Sequence, residues 1–148
     1  MEKAKEPKGV LKYILASQHF AVLSSDSSGQ PYSNLVAFAA TEDLKYLVFV
    51  TNRNTRKYRN IVENRQVSLL IDSRTNQPSD VSKATAITVL GSASETVDKN
   101  GGFLSLYLTK HAHLNQFANE PDNALIVVTV SEYIIADFKK GQRIIIKS

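Results

Sequence analysis

Between positions 50 and 59 the chain reads Val50-Thr51-Asn52-Arg53-Asn54-Thr55-Arg56-Lys57-Tyr58-Arg59. Four bases fall within seven residues, from Arg53 to Arg59, and the next acid is Glu63. A strand ends at Thr51-Asn52 and a helix starts near Asn54 or Thr55, so two of these bases lie in a first helical turn. The helix dipole favours acids there and disfavours bases. Bases become sensible if an anion sits on the unbonded N–H groups of that terminus. The hydroxyls of Thr51 and Thr55 could donate to the same anion while Arg56 and Lys57 neutralise it, and a phosphate suits the description. A solvated basic surface fits the local pattern equally well, because charge runs are often only surface.

Other chemistries find less support. The chain has no cysteine, which excludes disulfides, thiolate metal sites, Cys-ligated iron–sulfur clusters and a cysteine nucleophile. His111-x-His113 would point about 200° apart on a helix and has no acidic third ligand nearby, so we read the pair as surface residues and expect no metal site. His19 reads as a polar residue at a strand edge. Ser27-Ser28 has no His/Asp partner pattern, and Gly101-Gly102 lacks the spacing of a dinucleotide loop. The net charge is +4, but bases outside 53–59 are scattered and no nucleic-acid recognition motif is present. No apolar run is long enough to span a bilayer and no targeting segment is visible, so a soluble cytoplasmic protein is expected.

The elements that would position the basic run are mostly strands. The 148 residues are 43% hydrophobic and 22% charged, the make-up of one globular domain over 1–148. A short amphipathic helix is predicted over 8–17, with Val10, Leu11, Ile14 and Leu15 in one stripe. Strands follow at 19–25, 31–40 and 45–51, joined by the turn clusters Asp26-Ser27-Ser28-Gly29 and Thr41-Glu42-Asp43. A helix is predicted at 55–63 and a strand at 66–72. A polar loop at 74–79 leads to a long strand at 83–97. A turn at 98–102 precedes a helix over 103–118, with Phe103, Tyr107, Leu114 and Phe117 on its apolar side. Strands at 124–138 and 142–147, joined by a turn at 139–141, close the chain. Short connections make this an antiparallel, mainly β architecture, a β-barrel with peripheral helices.

At this level the chain resembles a known family. Phe49-Val50-Thr51-Asn52-x-x-Thr55-Arg56-Lys57 is similar to the aromatic-Thr-Asn-x-x-Ser-Arg-Lys motif of the pyridoxamine 5′-phosphate oxidase-like family, the FMN-binding split barrels. Gly29-x-Pro31-Tyr32-Ser33 precedes it in the expected order. Asn60-Ile61-Val62-x-Asn64-x-Gln66-Val67-Ser68-Leu69 resembles the family's continuation, and Tyr107-Leu108-x-Lys110-His111 its later helix, with Ala112 where Pro is common. The resemblance covers roughly 8–138.

The resemblance implies an antiparallel FMN-binding split barrel. Thr51, Arg56 and Lys57 would hold the FMN phosphate. The strand Ser33, Asn34, Leu35, Val36 would run along the isoalloxazine with backbone hydrogen bonds to its polar edge, and Val50 and Asn52 would flank the ribityl chain. It also implies a homodimer with the flavin sites at the interface. True pyridoxamine phosphate oxidases carry an Arg and a Lys at positions that are Leu35 and Ala40 here. They carry a Gln where Ala86 stands, and a Trp and an Arg-His motif that this chain lacks. A flavoprotein member other than the vitamin B6 oxidase is therefore expected, an oxidoreductase acting on an unidentified small molecule. A non-catalytic module that stores or senses flavin, deazaflavin F420 or heme is the alternative. No catalytic acid or base can be named.

Overall fold

The strands of this protein alternate apolar and polar side chains where one face meets water, and lose the alternation where both faces are covered. The computed structural model describes residues 6–97, 101–138 and 143–148. Its elements are α1 (Pro7–Ser17), β1 (Phe20–Ser27), β2 (Gln30–Ala40), β3 (Tyr46–Asn52), α2 (Arg56–Glu63), β4 (Gln66–Asp72), α3 (Asp80–Lys83), β5 (Thr85–Glu95), α4 (Gly102–Lys110), a 3₁₀ turn (Ala112–Leu114), α5 (Asn115–Asn119), β6 (Asn123–Asp137) and β7 (Arg143–Lys147). The strand order is β3-β2-β1-β4-β5-β6-β7, and β3 also pairs with β6. Six antiparallel strands thus close into a barrel, with β7 appended to β6, as the mainly β expectation required.

In β1 the side chains of Ala21, Leu23 and Ser25 are buried while Phe20 is exposed, the period of two of a half-covered strand. The run from Leu47 to Val50 is buried throughout. Leu47 and Phe49 join the barrel core, whereas Val48 and Val50 join a second cluster with Tyr107, Ala118, Leu125 and Val127. Helices α4 and α5 therefore form an outer layer over β3 and β6, which explains the continuous apolar runs of those two strands. The barrel ends are plugged by helices: Leu11, Ile14 and Leu15 of α1 at one end, Ile61 of α2 at the other.

The connections follow from turn chemistry. Ser27 pairs with Gln30, so β1 and β2 are joined by Ser28-Gly29 alone, both at positive φ (56° and 80°). That is the two-residue hairpin whose twist matches the flanking strands. Leu44 also sits at positive φ (65°). Its carbonyl accepts from the Tyr133 hydroxyl at 2.7 Å, and the turn is closed by Asp43 bonding Thr41 Oγ1 and the Lys45 N–H.

Three expectations need correction. The helix over 103–118 is broken: His111 leaves the helical region at φ −123°, ψ 58°. Its imidazole is buried, 1% exposed, and its Nε2 donates to the Phe38 carbonyl at 2.7 Å. His111 is therefore not a surface residue. Burial also pushes its pKa down, so the neutral ring is favoured. His19 and His113 lie at its edges, with ring centroids 5.9 and 6.1 Å away. Second, Lys83 ends α3 and does not begin the long strand, because Asp80 accepts the N–H groups of Thr75 and Asn76 and folds the preceding loop onto the helix start. Third, Phe117 is largely in contact with solvent. The turns expected at 98–102 and 139–141 fall mainly outside the described residues.

Strand β5 bends where its register with β6 shifts between Leu90 and Gly91. A Cβ on Gly91 would lie 2.5 Å from the Thr129 carbonyl oxygen and 2.8 Å from Val128 Cγ1. Gly91→Ala is expected to cost about 1–3 kcal/mol through this overpacking, measured as a lower midpoint in urea denaturation.

Candidate functional site

The barrel parts on one side. Strand β2 pairs with β1 from Gln30 to Ala37, but with β3 only through Phe38, Ala39 and Ala40. On its other edge β3 pairs with β6 along its whole length, from Tyr46 opposite Thr129 to Asn52 opposite Asn123. One backbone edge of β2 is left without a strand partner over residues 30–37. The Phe38 N–H bonds the His19 carbonyl. In an antiparallel ladder the bonding residues alternate. Positions 36, 34 and 32 therefore also face β1, while Ser33 and Leu35 direct their N–H and C=O groups to the open edge. Val36 is buried in the barrel and Leu35 is 64% exposed on the outer face. The Oδ1 of Asn34 is buried without a hydrogen-bond partner among the described residues, an acceptor whose desolvation they do not compensate.

The basic helix start lies at the same barrel end. Thr55 caps α2: its hydroxyl accepts from the Tyr58 N–H at 3.4 Å and donates to the Asn52 carbonyl at 2.7 Å. Thr51 is 1% exposed, with its Oγ1 3.2 Å from that of Thr55. Both hydroxyls are thus engaged inside the loop, where they hold the turn. Asn52 Oδ1 accepts from the Asn54 N–H at 2.8 Å, and its Nδ2 donates to Asn123 Oδ1 at 2.9 Å. Asn60 Nδ2 donates to Ser25 Oγ at 3.1 Å, and Ser27 bonds Glu63, so α2 is tied to β1.

The four bases separate into roles that their spacing did not distinguish. Arg53 is the anchor. Its Nε and Nη2 bond the two oxygens of Glu95 at 3.1 and 2.8 Å, and its Nη1 donates to the Pro121 carbonyl at 2.8 Å. The Tyr58 hydroxyl donates to Glu95 Oε1 at 2.7 Å. The hydrogen bond to Glu95 holds the Arg53 pKa above its usual value and raises that of Tyr58. Arg59 is exposed. Arg56 lies over the Tyr32 ring, 4.7 Å from its centroid, and so links the helix start to the open edge of β2. Lys57 is half-buried and forms no ion pair among the described residues. Burial alone lowers its pKa. The N–H groups of Arg56 and Lys57 have no protein acceptor among the described residues, as the first turn of a helix leaves them.

The structure therefore brings Ser33, Asn34 and Leu35 to one open edge and Arg56 and Lys57 to the helix start beside it. Asn52 and Thr51 brace the turn between them. Val50 is different, because its side chain is enclosed by the outer helical layer. Tyr32, Arg53, Glu95 and Asn123 complete the site and were not singled out from the sequence. Glu95 and Asn123 lie 42 and 71 residues from their partners, and no local pattern signals such pairs. Tyr32 could have been found, since it stands one residue before the strand segment already chosen.

Solved structures with this architecture are numerous. A heme binding protein from Mycobacterium smegmatis superposes with a TM-score of 0.83 at 15% identity, over 99% of this chain and 60% of that one. The chain thus spans about three fifths of that protein's length. General Stress Protein 26 from Bacillus anthracis gives 0.71 at 20% identity, over 95% and 98% of the two chains. A FAD-binding protein from Mesorhizobium loti gives 0.69 at 15% identity, over 88% and 92%. These likenesses define a split barrel of the pyridoxamine 5′-phosphate oxidase-like type. A search of curated proteins returns no match. The family profile described as pyridoxamine 5′-phosphate oxidase matches residues 8–135, and the chain belongs to that family.

The cap sets the helix start, and its removal is measurable. Thr55→Ala is expected to lose about 1 kcal/mol of stability, read as a shift in the urea midpoint. Asn54→Ala, at an exposed side chain with no bond of its own among the described residues, should change little.

Proposed function

We propose that the protein is an FMN-binding flavoprotein, an oxidoreductase that uses the bound flavin on a small molecule. The observation that carries this reading is the open edge of β2 running to a basic helix start, with Arg56 stacked on Tyr32 between them. The donor set fits such a group. Lys57 is a half-buried cation lacking a carboxylate partner among the described residues. Two unbonded N–H groups stand beside it, and Asn34 supplies a buried polar atom without a partner among the described residues. Arg56, Lys57 and those N–H groups would hold the phosphate, with Thr51 and Thr55 bracing the turn. Backbone groups of Ser33 and Leu35 would meet the polar edge of the ring, beside Asn34 and Val36. Asn52 and the backbone of Val50 would border the ribityl chain.

When bound, the flavin supplies hydride or electron transfer. The chain's own part is to bind, orient and cover. Residues 33–36 contain no titratable side chain, so the open edge orients the ring without acting as acid or base there.

Assembly as a homodimer is part of the proposal. Leu35, Val22, Leu70, Thr88, Ile134 and Ile145 are register partners in one row across six strands. Leu35, Leu70 and Ile145 are exposed. An apolar band beside the open edge of β2 suits a second copy that covers band and flavin together. No helix among the described residues is long and apolar enough to cross a membrane, and we place the protein in the cytoplasm. The similarity to a heme binding protein supports a second reading, a module that holds heme, F420 or flavin without turnover. For heme, His19, His111 and His113 would be the candidate ligands, His111 through Nδ1 because its Nε2 donates to the Phe38 carbonyl.

A visible spectrum separates the readings. Purified protein, or protein titrated with FMN, is expected to show the flavin bands, and reduction by NAD(P)H would mark turnover. A Soret band would favour heme, and no spectral change on FMN addition would overturn the proposal. Replacing Arg56 and Lys57 together with Ala should weaken FMN binding at least about tenfold with little loss of stability. An adjacent dianion should raise the Lys57 pKa, so FMN affinity is expected to fall as pH rises through the alkaline range, where that lysine loses its proton. Leu35→Asp with Leu70→Lys should shift the protein to monomer in sedimentation.

A further inference from the structure

At the barrel end plugged by α1, opposite the flavin site, a cavity of about 360 Å³ lies between α1, the end of β2 and α4. Leu15, Ala16, Ala39, Ala40, Leu44 and Leu106 give it an apolar wall, and Thr41, Thr109 and Lys110 line it as well. The Lys110 Nζ donates to the Leu15 carbonyl at 2.8 Å and lies 4.0 Å from the centroid of the Phe38 ring. It makes no ion pair among the described residues. Lys12 and Glu42 also line the cavity, and His111, bonded to the Phe38 carbonyl, has His19 and His113 beside it. Lys110 thus lines the cavity with one N–H held by Leu15 and one side covered by Phe38.

We propose that Lys110 is a carbonyl-reactive amine and that this cavity receives a small apolar aldehyde. Burial brings the Lys110 pKa down to about 8, so a useful fraction of the amine carries its lone pair at neutral pH. The Phe38 ring acts in the opposite sense by favouring the cation, as does Glu42, whereas Lys12 disfavours it. The neutral fraction is a nucleophile for a carbonyl carbon. The lone pair forms the N–C bond as the carbonyl π pair moves to oxygen. A proton passes from nitrogen to that oxygen, and loss of water leaves an imine. No oxidant or reductant takes part. The site shares no residue with the proposed flavin site and stands or falls independently of it.

Hexanal with sodium cyanoborohydride tests this, since the hydride fixes any imine as a secondary amine, located by peptide mass mapping of the full chain. Lys110 is expected to be labelled at least about tenfold faster than the exposed Lys12, with a rate that rises through pH 8. Lys110→Arg should lose that label and keep the slow labelling elsewhere. Ala16→Phe, a substitution at an exposed wall position, should block hexanal at Lys110 yet leave its reaction with formaldehyde intact. If Lys110→Arg fails to fold, the wild-type map and the Ala16→Phe comparison decide. Labelling spread evenly over the lysines, an unlabelled Lys110, or an Ala16→Phe variant that reacts with hexanal as wild type does would overturn the proposal.

Discussion

A β-strand has two edges, and β3 gives one of them along its whole length to β6. That single allocation organises the molecule. It closes the barrel through Tyr46 to Asn52, while the other edge of β3 holds β2 for only three residue pairs. The remaining edge of β2 then carries peptide groups with no strand to satisfy them. In a closed barrel such groups would be a defect. Here they face the start of a helix whose own first N–H groups are also unbonded, and the two shortfalls lie side by side. The candidate site is what the topology leaves over where β2 runs on past its three pairs with β3.

The outer helical layer depends on the same pairing. Because β3 and β6 lie together, their outward side chains form one apolar strip, and α4 and α5 cover it. His111 ends α4 and ties that layer to the sheet through its bond to the Phe38 carbonyl. The bend at Gly91 then lets β5 follow β6 past Val130 and on toward β7.

Much of this was legible in the sequence, and for identifiable reasons. Strand positions followed from period-two burial and from turns such as Ser28-Gly29, which are local. The basic helix start stood out because bases in a first turn contradict the helix dipole. Which bases are available was not legible, because the answer lies in Glu95, Pro121 and Asp122. Arg53 looked equivalent to Arg56 by position, yet it is anchored by Glu95. His111 looked like one of two surface histidines, and only its long-range bond to Phe38 shows otherwise. The open edge of β2 was implied by family resemblance alone. No residue within 33–36 announces that its neighbour will depart.

Arg53 also governs when the site can exist. Its turn is held by a carboxylate from the end of β5 and by carbonyls of Pro121 and Asp122 just before β6. Every one of these lies more than 40 residues downstream. Contacts of that span form late, after the loops between them have closed. The emerging chain therefore exposes the basic run long before the turn that carries Arg56 and Lys57 is braced.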